Sequence, residues 1–124
     1  MTTVEYELEK AREALEDART LVREGSDAGA INRLYYACYH AAVAAVLDET
    51  GEMPNTHAAA VSAFGEFVVA NYETVTTAHG SLFSQLKEEH EKADYGYQGF
   101  RKTPEEYEPG VEAFLETIES AIAE

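Results

Sequence analysis

Asn32-Arg33-Leu34-Tyr35-Tyr36-Ala37-Cys38-Tyr39-His40-Ala41-Ala42 leads into the longest apolar run of the chain, Leu34 to Leu47, which His40 interrupts. The run reads as a helix on which small residues (Ala37, Ala41, Ala42, Ala44 and Ala45) let a neighbouring backbone approach closely. Arg33 and His40 are seven positions apart. Seven steps of ~100° fall only ~20° short of two full turns, so both side chains leave one face of the helix. Tyr36 lies between them on that face. A permanent cation and a group that titrates near neutral pH, together on an otherwise hydrophobic helix, point to phosphate chemistry more readily than to packing.

Outward from this helix, the rest of the chain reads as helical too. A first helix runs from about Val4 to Glu24, with Leu8, Ala11, Leu15, Ala18 and Val22 recurring at helical spacing, and Gly25 stops it. Ser26 or Asp27 caps the second helix, which extends from about Ala28 to Glu49 and is closed by Gly51 and Pro54. Asn55 or Thr56 caps a third, about His57 to Asn71, with Val61, Phe64, Val68 and Tyr72 facing inward. A short, charged fourth helix covers about Ser81 to Ala93. Tyr95-Gly96-Tyr97-Gln98-Gly99-Phe100 then forms a loop, with Gly96 and Gly99 as turn residues. Thr103-Pro104-Glu105-Glu106 supplies a cap, a proline at the first helical position and the glutamate of a capping box. Pro109 is awkward inside a helix, so the regular part of the last one is expected to begin near Pro109 and run to Ala123. Without strand signals or repeats, the expected fold is all-α: an antiparallel four-helix up-and-down bundle with an additional short helix, five helices in total.

Composition narrows the function. The chain has 124 residues, enough for one domain (1–124) with a real core and no room for a second. Acidic residues outnumber basic ones 24 to 9, a formal charge of −15 that repels RNA and DNA at low salt. Any nucleic-acid site must therefore be a local basic pocket, which counts against a general RNA-binding module. One cysteine, Cys38, excludes an internal disulfide and fits a reducing compartment as a buried small side chain. Met1 to Glu16 is too densely charged for a signal peptide, and the run from Leu34 is too short to span a bilayer. A cytoplasmic protein without membrane association is expected.

The second helix also resembles that of the HEPN family, small helical domains often paired with nucleotidyltransferases. Several branches are metal-independent ribonucleases marked by an arginine and a histidine with four to six residues between them; Arg33 and His40 have six. Asn32 to His40 is similar to the family pattern of an arginine before two tyrosines, a small residue and an aromatic–histidine step. Pro54-Asn55-Thr56-His57, followed by Val61, Phe64, Phe67 and Val68, resembles the start of its third helix. Ala93-Asp94-Tyr95-Gly96 resembles a later block. Together these cover about Ser26 to Phe100. Two positions depart from the pattern. His90 and Lys92 stand where the branch commonly has an arginine, and Ala42 replaces the tyrosine that a partner nucleotidyltransferase modifies in some toxin members.

The resemblance implies a toxin or defence ribonuclease, a homodimer restrained by a nucleotidyltransferase antitoxin, with RNA or a nucleotide as substrate. The alternative is a non-catalytic HEPN module that binds nucleotide or a protein partner. RNA cleavage without a metal needs a base for the 2′-hydroxyl, an acid for the leaving oxygen and positive charge for the phosphorane. His40 suits either proton-transfer role, and Arg33 presents a fork of donors to phosphate oxygens. One protomer offers one such histidine, and the resemblance implies that a two-fold dimer brings two histidines and two arginines into one cleft. The Cα atoms of Arg33 and His40 are ~10.5 Å apart on a helix, so they grip one phosphate across a groove rather than touch. Asn32 at the rim, Tyr36 between the pair, His57 at a helix start, and His90 and Tyr95 in the later block complete the expected substrate-binding or supporting set.

Residue chemistry alone leaves a structural reading open. Arg33 can pair with an acid such as Asp94, and His40 can be a core histidine bonded to a backbone carbonyl. His57 reads equally as a capping or surface residue, His90 and Lys92 as surface charges, and His79 as exposed and uninformative. Glu88-Glu89-His90-Glu91 lacks a second histidine at ligand spacing, and no phosphate-binding glycine loop is present, so neither metal nor cofactor is expected.

Overall fold

The computed structural model describes residues 2–95 and 99–123. Gly96, Tyr97 and Gln98, three residues of the expected aromatic loop, lie outside the described residues. Among the described residues there are five helices and no strand: α1 (Thr3–Arg23), α2 (Asp27–Thr50), α3 (His57–Ala63), α4 (Thr77–Asp94) and α5 (Pro104–Ala123). The fold is all-α, four long helices and one short one, as the sequence predicts.

Local chemistry sets the boundaries. At the start of α1, the Glu5 N–H donates to the Thr2 hydroxyl and the Thr2 N–H to the Glu5 carboxylate, closing a capping box. α2 ends at Gly51, whose φ of +76° places it in the left-handed region that favours glycine. Thr56 caps α3 by accepting from the Ala59 N–H. The expected third helix continues beyond Ala63, but Phe64–Val69 is a π-helical segment, a widened turn with no cue in the sequence. It keeps Phe64 and Val68 buried while Phe67 faces out.

Two boundaries differ from expectation. α4 begins at Thr77, a turn before Ser81, because His79 completes a cap: the Thr76 N–H donates to its Nδ1 at 2.9 Å. His79, read as uninformative, is a helix-start residue. α5 begins at Pro104, not near Pro109, and passes through Pro109 without a break. The Thr103–Glu106 capping box sets that start. The carbonyl that Pro109 leaves without an intrahelical donor belongs to Glu105, an exposed residue that water can reach.

α2 is the axis of the structure. Half of its surface stripe would be polar in an ordinary amphipathic helix, yet Ala30, Ile31, Leu34, Tyr35, Ala37, Cys38 and every residue from Ala41 to Val46 are buried. Its alanines meet Ala11, Ala14, Leu15 and Ala18 of α1, and all five helices contribute to one apolar cluster. On its far side Phe64, Phe83 and Phe114 pack ring to ring, with centroids 5.5–6.3 Å apart, and join the π-helical segment, α4 and α5. The outer seam between α1 and α5 is ionic. Arg12 bonds Glu112 and Glu119, and Arg19 bonds Glu16, Glu108 and Glu112.

Glu89 of α4 is fully buried, although its surroundings in the sequence read as solvated charge. Its carboxylate accepts from Lys92 Nζ at 2.8 Å, from the Arg101 backbone N–H at 2.8 Å and from the Tyr107 hydroxyl at 3.3 Å. Burial first, then the Glu89 carboxylate, pushes the Tyr107 hydroxyl up to about 12, so it remains a donor. One carboxylate thus ties the chain after α4 and the first turn of α5 back onto α4. Glu89→Ala is expected to lower stability by about 3 kcal/mol, since it leaves buried donors unmatched. Glu88→Ala, at an exposed position, should change it by less than about 0.5 kcal/mol. Urea unfolding of the two variants beside wild type checks this.

Candidate functional site

α2 brings Arg33, Tyr36 and His40 to one face, and the packed helices decide what each of them meets. The Arg33 guanidinium lies over the Tyr36 ring, 4.8 Å from its centroid, and donates to the Asn32 side-chain oxygen at 3.1 Å. Among the described residues no carboxylate comes within ion-pair distance of Arg33. The structural reading in which Asp94 pairs with it is realised one step removed: the Asn32 amide donates to Asp94 at 3.2 Å and offers its oxygen to Arg33. Asn32 is therefore an orienting bridge between α2 and α4.

His40 is not a core histidine bonded to a backbone carbonyl. Its Nδ1 lies 2.6 Å from Glu7 Oε2 of α1, and its side chain keeps 20 % of its exposure. Glu7 occupies the stripe Glu7, Ala11, Ala14, Ala18 that α1 turns towards α2, and it is itself buried. An acid on an otherwise apolar stripe is the sequence signal that would have found it. The contact with Glu7 holds the His40 ring through Nδ1, and among the described residues its Nε2 has no hydrogen-bond partner.

His57 and His90 join the same cluster from α3 and α4. The Tyr36 centroid is 6.1 Å from that of His40, 5.7 Å from His57 and 5.3 Å from His90. His57 packs closest on Tyr39, at 4.6 Å. His57 is thus part of the aromatic cluster and not a plain capping or surface residue. His90 corrects the surface-charge reading more sharply. It is buried, stacks on Tyr35 at 4.5 Å, and directs Nε2 towards Asp94 at 3.4 Å. Its Nδ1 and the Tyr35 hydroxyl are buried without a hydrogen-bond partner among the described residues. Lys92 turns back to Glu89. Tyr95 caps the C-terminus of α4 and is exposed.

Burial holds the His90 imidazole below its ordinary value, although Asp94 pulls the other way; His57 and Arg33 add to the downward shift. Burial likewise pushes the hydroxyls of Tyr35 and Tyr39 and the thiol of Cys38 up, which leaves all three protonated and Cys38 unreactive. Among the described residues no acidic, histidine or cysteine side chains gather in a group able to hold a metal ion, and no helix is long and apolar enough to cross a membrane.

The all-α fold agrees with what the chain is similar to. A family model described as the HEPN domain matches residues 4–122. The chain belongs to the HEPN family. It is also 30 % identical over 122 residues to a UPF0332 protein of Thermotoga maritima, covering 96 % of this chain and 90 % of that protein. The HEPN family includes both nucleases and nucleotide-binding modules.

Because the folded His90 takes up a proton less readily than the unfolded one, folding loses stability as pH falls below about 6.5, where the unfolded imidazole charges. His90→Gln should remove that share. Urea midpoints measured at about pH 7.5 and about pH 5.5 should fall more in wild type than in His90→Gln, and equal falls would refute the burial argument.

Proposed function

We propose that this HEPN protein is a toxin or defence ribonuclease that cleaves RNA without a metal at a cleft built on Arg33 and His40. In this reading the whole chain is one cytoplasmic domain, works as a homodimer and is restrained by a nucleotidyltransferase antitoxin. The observation that carries it is electrostatic. In a chain of net charge −15, Arg33 is half-buried beside Tyr36 with no carboxylate at ion-pair distance among the described residues, two turns from an imidazole held by Glu7. Of the half-buried arginines, Arg12 and Arg19 find acids and Arg33 does not; Arg23, which bonds Thr20, is exposed.

His40 Nε2 takes the proton of a ribose 2′-hydroxyl, and the 2′-oxygen attacks the adjacent phosphorus. Arg33 binds the equatorial oxygens as negative charge develops on them. The P–O5′ bond breaks, the leaving oxygen takes a proton, and the products are a 2′,3′-cyclic phosphate and a 5′-hydroxyl. Asn32 orients Arg33. Tyr36 sets the spacing of the pair, His57 and Tyr95 support the substrate side of the cleft, and the buried His90 backs Tyr35 and Tyr36. A two-fold partner meeting along this face would double the positive charge facing the RNA.

The acid excess favours a second reading, a HEPN module that binds a nucleotide or protein partner and cleaves nothing. RNA degradation and growth arrest by wild type, Arg33→Ala and His40→Ala separate the two. The cleavage reading expects each substitution to lower the rate by about 10²–10⁴-fold with folding and dimerisation intact. Equal behaviour of the three proteins overturns it. Activity should also fall on dilution to the monomer, in step with dissociation followed by analytical ultracentrifugation.

A further inference from the structure

Three imidazoles, not one, face the ring of Tyr36, and each has a different environment. His40 has its Nδ1 committed to Glu7 at 2.6 Å. His90 is buried, has Nε2 beside Asp94 at 3.4 Å and is held neutral by burial. His57 is half-buried, and among the described residues neither of its ring nitrogens makes a hydrogen bond or ion pair. The groups that face it are the rings of Tyr35, Tyr36 and Tyr39 from α2 and of His90 from α4.

We propose that His57 is the second proton-transfer group of the cleft, the general acid that protonates the leaving 5′-oxygen within the same protomer as His40. This rests on the cleavage reading given above and assigns a step that reading left without a residue. A general acid must be reachable by substrate and must hold a proton that no strong partner retains. His90 fails the first requirement. His40 fails the second, because its Nδ1 is held by the Glu7 carboxylate at 2.6 Å and the cleavage reading already gives its other nitrogen the base role. His57 meets both.

The step balances on the groups named. As His40 Nε2 gains the 2′-hydroxyl proton, the 2′-oxygen–phosphorus bond forms. The phosphorus–O5′ bond breaks, and O5′ takes its proton from the His57 imidazolium. His40 ends protonated and His57 neutral, and exchange with water resets both. Tyr36 and Tyr39 each contact both imidazoles, so the two rings lie around the same pair of tyrosines. In this arrangement a two-fold partner contributes a second guanidinium, while the second proton-transfer group is already present in each chain.

The test uses two substrates: an RNA oligonucleotide, and the same oligonucleotide with sulfur replacing the bridging 5′-oxygen at one linkage. A thiolate leaves without a proton, so it makes a general acid dispensable. His57→Ala and the bulkier His57→Gln, both checked for folding by circular dichroism, are expected to cleave the natural linkage about 10²–10⁴-fold more slowly than wild type. Most of that loss should be recovered on the sulfur-bridged linkage. His40→Ala should stay slow on both. If the His57 variants lose the same factor on both linkages, or on neither, the assignment is overturned while the cleavage reading stands. Wild type that cuts neither linkage overturns the cleavage reading itself, and this assignment with it. Mixed dimers of His40→Ala and His57→Ala protomers distinguish the two chains: no recovery of activity is expected, and recovery would place the acid across the dimer.

Discussion

Between Leu34 and Val46 helix α2 leaves only Tyr36, Tyr39 and His40 partly open to water, and this constraint organises the rest of the molecule. A polar group on such a helix must be matched by another helix or be left at a cost of roughly 1–3 kcal/mol. His40 is matched by Glu7 from α1, and Asn32 by Asp94 from α4. Arg33 is matched only by the amide of Asn32 and the face of Tyr36. The chemistry of the face is therefore set by its neighbours. α1 gives His40 a carboxylate, α4 gives Asn32 an anchor, and nothing among the described residues neutralises the guanidinium.

The distribution of charge sharpens the point. The acid excess is not spread evenly over the cations. Arg12 and Arg19 spend theirs on the glutamates of α5, Lys87 and Lys92 on α4, and Arg101 on Glu88. These pairs hold helices and the α4–α5 connection together. At the Tyr36 face the pairing differs: Glu7 meets His40, Asp94 meets Asn32 and His90, and Arg33 has no carboxylate at ion-pair distance among the described residues.

Much of this site was legible before the fold was known, and the residues that were missed share a cause. Arg33, Tyr36 and His40 are visible because helical periodicity alone puts positions 33, 36 and 40 on one face. His79 was misread, and the burial of Glu89 was not anticipated, because their surroundings in the chain are polar: a cap and a buried carboxylate look like surface charge until the packing is known. His90 was misread for the same reason. Glu7 lies on the apolar stripe of α1 and was overlooked because a glutamate there reads as solvent-facing, although its position in the stripe marks it. The start of α5 was placed too late because a proline inside a helix weighs more heavily in a sequence than at an exposed carbonyl in the folded chain.

The amino-acid sequence by itself determined the elements: five helical segments, their stops at Gly25 and Gly51, the cap at Thr103, and the face shared by Arg33 and His40. These follow from interactions between residues no more than a few positions apart, which act in any chain that carries them. The partners were decided by tertiary structure alone. Glu7 on His40 is 33 residues distant, Asp94 on Asn32 is 62, and the meeting of His57 and His90 around Tyr36 depends on how α3 and α4 pack against α2. Contacts between groups so far apart along the chain carry no periodic signature, because burial of the apolar faces fixes the helix positions and the polar groups take whatever neighbours that packing supplies.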